Sequence, residues 1–109
     1  MVESDVRLGV ILPASCNRWT ATPADQRPAM MSMNEFGYQY WRIVSDTVTA
    51  RLVFEANTRW YPDEWVTHAT LAEYFEETGN KSAARTALGR ALVLAPTNRD
   101  LLDMQQRLR

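Results

Sequence analysis

A chain of 109 residues, 46% hydrophobic and 23% charged, has the makeup of one soluble globular domain. Its net charge of −1, with no run of Lys or Arg, gives no electrostatic basis for a nucleic-acid or anionic-membrane partner. Cys16 is the only cysteine, so an intrachain disulfide and a cysteine-based zinc site are excluded.

The start, "MVESDVR", carries acids where an export signal needs basic charge, and "LGVIL" is too short to span a membrane. A cytoplasmic protein is expected, with Cys16 a free thiol in a reducing compartment. Residues 1–30 hold three of the five prolines and no sustained helical period. They read as an N-terminal arm, extended or disordered, with one possible short strand at residues 6–12, "VRLGVIL". A lone strand needs a partner, either the helical part of the chain or a second copy of it.

Residues 31–109 are compatible with helix and clearly punctuated. Gly79 stands where a helix-terminating glycine belongs, and Asn80 precedes "KSAARTALGRALVLA", a run of good helix formers. Pro62 and Pro96 each end a run, with Asp63 or Thr97 placed to cap the next helix. Five helices of about 11–15 residues are expected. The expected fold class is all-α.

The sequence repeats itself. Pro62 and Pro96 lie 34 apart (96 − 62), as do Ala50 and Ala84 (84 − 50) and the large apolar pair Phe54 and Leu88 (88 − 54). A period of about 34 residues with two helices per unit is the tetratricopeptide spacing. "HATLAEYFEETGNKSAARTALGRALVLAP" resembles such a repeat: Leu71-Ala72-x2-Phe75 opens it, Ala84-x3-Leu88 comes next, and Pro96 closes it. His68 stands in the place of the family's tryptophan. The upstream segment matches through Phe36-Gly37-x2-Tyr40, Ala50-x3-Phe54 and Pro62. Gly37 to Ala72 is 35 (72 − 37), so one extra residue falls between Trp41 and Ala50. Asn57 replaces the small Ala91 at an inter-repeat contact. The resemblance divides the helical domain into repeat 1 at 31–62, repeat 2 at 63–96 and a cap helix at 97–109. A weaker likeness, through Asn34-x2-Gly37-Tyr38 and Asn57-x3-Tyr61-Pro62, is to tetratricopeptide tails of bacterial serine-hydrolase esterases. The hydrolase domain itself is missing from the chain.

Small residues (Gly37, Ala72, Ala84, Ala91) let helix backbones approach, and large ones fill the seams at helical spacing. Stacked hairpins bury what one hairpin leaves open. The resemblance implies a right-handed superhelix whose first helices line a concave groove. Val66, Ala69, Glu73 and Glu76 or Glu77 would face it from the second repeat, and Met31, Asn34, Tyr38 and Trp41 or Arg42 from the first. Asp100, Asp103 and Arg107 would extend it along the cap. Such a groove suits a protein or peptide with apolar and basic side chains; the other reading is a plain solvated helix face.

Self-association is expected, through the groove module or as a purely structural homo-oligomer held by the arm and the first hairpin. No catalytic residue, metal or cofactor is expected. Glu73 and Glu77 lie one helical turn apart, but no nucleophile or metal-ligand histidine accompanies them.

Overall fold

The computed structural model describes residues 23–109, and the fold is all-α. A 3-10 turn at Ala24–Gln26 precedes five α-helices: α1 Met30–Tyr38, α2 Thr47–Trp60, α3 Trp65–Glu77, α4 Lys81–Leu94 and α5 Arg99–Arg107. The possible strand at 6–12 and Cys16 lie outside the described residues. The two end helices have 9 residues each, shorter than expected, but α1 runs on without a break into a π-helical turn at Gln39–Ile43. The described residues fall into two compact units that divide between Ala56 and Asn57.

In the first unit, α1 and α2 meet at Gly37 and Phe54. A Cβ on Gly37 would stand 2.6 Å from Phe54 Cδ1, so only glycine admits the ring there. Met33, Ala50 and Val53 are wholly buried, and Tyr40 and Phe54 nearly so. Full burial of one such side chain stabilises the fold by about 1.5–3 kcal/mol. The π-turn at Gln39–Ile43 overlaps the start of the interval, Trp41 to Ala50, that is expected to carry the extra residue. The Val44 N–H donates to the Gln39 carbonyl five residues back, at 3.0 Å, and the Asp46 N–H donates to the Tyr40 carbonyl at 2.8 Å. Hydrogen bonding to the fifth residue back takes one more residue into the turn while keeping the helix intact. Ser45, with φ of 63°, then reverses the chain in a left-handed conformation unusual for a non-glycine residue. Asp46 starts α2 by taking the Thr49 N–H on one carboxylate oxygen (3.0 Å) and the Thr49 hydroxyl on the other (2.7 Å).

The second unit centres on the α3–α4 hairpin. Its turn is a Schellman motif: the Asn80 N–H reaches the Phe75 carbonyl (2.9 Å), the Gly79 N–H reaches Glu76 (3.3 Å), and Gly79 takes φ of 90°. Asn80 then caps α4 by accepting the Ala83 N–H at 3.1 Å. Ala84, Ala87, Leu88 and Ala91 form the buried stripe of α4, at the spacing of one helix face.

Neither expected proline-adjacent cap is used. α5 is capped by Asn98, whose extended backbone aims its side chain at the Leu101 N–H (3.2 Å), in place of Thr97. α3 starts after Glu64 with no side-chain cap from Asp63. Instead the buried Thr67 hydroxyl donates to the Glu64 carbonyl (2.9 Å).

The turns before α3 and α5 repeat each other. Tyr61 N–H to Asn57 carbonyl is 2.9 Å, and 34 residues on (95 − 61) Ala95 N–H to Ala91 carbonyl is 2.9 Å. Glu64 N–H to Tyr61 carbonyl is 3.2 Å, matched by Asn98 N–H to Ala95 carbonyl at 3.2 Å. Pro62 and Pro96 are exposed in these turns, and every other residue expected at a repeat contact is buried except Phe36, which is half-buried.

Candidate functional site

α3 is buried around most of its circumference, through Thr67, His68, Thr70, Leu71, Ala72, Tyr74 and Phe75. A half-exposed stripe remains: Val66, Ala69, Glu73 and Glu76, with Glu77 exposed beside its end. These positions recur every three or four residues and so share one face. α5 contributes a matching face. Its Leu101, Met104 and Leu108 are buried, while Asp100, Asp103 and Arg107 are exposed at the same helical spacing. The two helices are joined by a bidentate pair, with Arg107 Nε donating to Glu76 Oε2 at 3.1 Å and Nη2 to Oε1 at 3.2 Å. That hydrogen bonding holds the Arg107 guanidinium above its ordinary pKa. Arg85 Nη1 donates to the Leu108 carbonyl at 2.8 Å and ties the end of α5 to α4.

The candidates in the first unit are placed differently. Asn34 is buried, and its side-chain oxygen has no hydrogen-bond partner among the described residues. Trp41 is also buried. Tyr38, Trp41 and Phe54 form a ring cluster: Tyr38 stacks on Trp41 at 5.9 Å, and Phe54 meets them edge-on at 5.7 and 5.9 Å. The Arg42 guanidinium lies 3.9 Å from the Trp41 ring centre, in cation–π geometry. The resemblance implies Tyr38 and Trp41 or Arg42 along a groove, with Phe54 in the packing seam. Trp41 belongs to the core, while Tyr38 is half-buried and Met31 and Arg42 are exposed.

His68 is buried, and its Nε2–H donates to the Pro62 carbonyl at 2.8 Å, pinning the turn before α3. Among the described residues, no group of three His, Cys, Asp or Glu side chains could hold a metal ion. None of the described helices is long and apolar enough to cross a membrane.

Two hollows lie in the second unit. One, of about 270 Å³, is lined by Arg85, Leu88, Gly89, Leu92, Gln105 and Leu108. The other, of about 430 Å³, is lined by Arg59, Pro62, His68, Arg90, Val93 and Leu94. Sequence reasoning missed both, and for the second a signal was present. Its signal is the exposed trio Arg90, Val93 and Leu94, an apolar pair on a solvent face of α4.

In comparisons with known proteins, no family model, no curated protein and no solved structure matches this chain.

Proposed function

We propose that the chain is a tetratricopeptide-like interaction module, not an enzyme. It binds a peptide or short helix along α3 and α5 and self-associates in the cytoplasm. The observation that carries this reading is the single half-exposed stripe on the otherwise buried α3, fixed beside α5 by the Glu76–Arg107 pair. The repeated turn geometry at Tyr61–Glu64 and Ala95–Asn98 supports the repeat resemblance. Glu73 and Glu77, with Asp100 and Asp103 on the facing helix, favour a ligand that alternates basic and apolar side chains.

A labelled amphipathic peptide of Lys and Leu is expected to bind the full chain by fluorescence anisotropy. Reversing Glu73 and Glu77 to lysine is expected to weaken it by about ten-fold or more, on the order of one exposed charge contact per residue. Binding unchanged by that reversal would discard the groove reading.

A second reading is a structural homo-oligomer held by the arm and the first hairpin. It is favoured by the exposed aliphatics Ile43, Val44 and Val48 around the α1–α2 corner. Sedimentation of a Val48→Lys variant tests it: the oligomer is expected to dissociate, and an unchanged mass removes this contact.

A further inference from the structure

The hollow of about 430 Å³ in the second unit joins two features that exposed surfaces seldom combine. Its apolar wall includes Val93, 81% exposed, and Leu94, 40% exposed, with Pro62 alongside and the buried His68 ring behind. It also carries Arg59 and Arg90, and neither guanidinium makes a hydrogen bond or ion pair with any described residue. Two unneutralised guanidiniums beside bare aliphatic surface suit a segment bearing carboxylates next to branched aliphatic side chains. The chain contains such a segment: Glu3 and Asp5 lead into Val6, Leu8, Val10, Ile11 and Leu12, with Arg7 as the one cation among them.

We propose that this hollow is the docking site for residues 2–12 of a second copy of the chain. Glu3 and Asp5 pair with Arg59 and Arg90, and the aliphatic run covers Val93 and Leu94. The surface differs from the α3–α5 face. The inference rests only on the self-association reading, to which it gives a contact.

The test uses the full chain and a labelled peptide of residues 1–12. Binding is read by fluorescence anisotropy and mass by sedimentation velocity, and circular dichroism checks that each variant keeps its helix. The peptide is expected to bind, and R59E/R90E to weaken it by about ten-fold or more, the weight of two exposed ion pairs. The same variant is expected to shift the chain toward monomer. A peptide with Glu3→Lys and Asp5→Lys is expected to recover affinity for R59E/R90E while losing it for the unmodified chain.

Peptide binding indifferent to R59E/R90E overturns the proposal. So does a chain that self-associates equally well with that variant, although self-association by another contact then survives. A chain that stays monomeric, and takes up the peptide only when its own Glu3 and Asp5 are changed to lysine, overturns the second-copy assignment in favour of the chain's own segment.

Discussion

Three glycines among the described residues sit in three different situations, and alanine substitution separates them. At Gly37 the new Cβ collides with the Phe54 ring. Overpacking of this kind costs about 1–3 kcal/mol. At Gly79 nothing crowds a Cβ, but φ of 90° disfavours any other residue, and the expected cost is about 1 kcal/mol. Gly89 lies inside α4 with no atom within 4 Å of a built Cβ. Gly89→Ala is therefore expected to stabilise the protein by roughly 0.5–1 kcal/mol, through reduced chain entropy and better helix propensity. Urea midpoints for the three variants check the order, with G89A above the parent and G37A lowest. Gly37 and Gly79 are both marked in the sequence, Gly37 as a small residue at a helix approach and Gly79 as a helix terminator before Asn80, but the meeting of Gly37 with the Phe54 ring is not. The freedom at Gly89 was not legible either, because whether a helical glycine faces a neighbour or an open hollow depends on the lining side chains.

At the scale of elements, the start of α2 is expected to respond to pH. The Thr49 hydroxyl, and then its N–H, hold the Asp46 carboxylate below its ordinary pKa. A lowered folded-state pKa gives stability that is complete above about pH 4, near the unfolded value, and is lost as pH falls through the folded value. Asp46→Ala is expected to lose about 1 kcal/mol at neutral pH, as for a lost N-cap. Asp46→Asn keeps an acceptor for the Thr49 N–H and is expected to lose less. Both variants should flatten the acid limb of thermal stability below about pH 4. An acid limb unchanged in both would remove Asp46 as its source. Helix number and the turn at Gly79–Asn80 could be read from punctuation, since proline, glycine and asparagine act locally. The caps at Asp46 and Asn98 could not be chosen from sequence. Several short polar residues crowd each turn, and the backbone angle decides which of them reaches an N–H.

For the whole molecule, the 34-residue spacing is the clearest signal in the sequence, and it reappears as matching hydrogen bonds before α3 and α5. The acidic stripe of α3 was also legible, because one helix face emerges from counting by three and four. The arginine-lined hollow was hidden, since Arg59 and Arg90 come from different helices. The extra residue upstream was countable, but a loop insertion and a widened helix add the same one residue. The structure has a widened helix at Gln39–Ile43, which accommodates one more residue than an ordinary turn. A helix that swells in girth can gain or lose a residue without turning the faces beyond it. Deleting the exposed Arg42 is expected to collapse the swelling into ordinary α-helix, with a loss of only a few degrees in Tm. Deleting Arg90, also exposed but in uninterrupted helix, rotates Ala91 and the rest of α4 by about 100° and is expected to unfold the hairpin. Circular dichroism melts of the two deletions make the comparison, and equal damage would refute it. The first hairpin is thus where this chain is expected to change length by single-residue steps and keep its architecture.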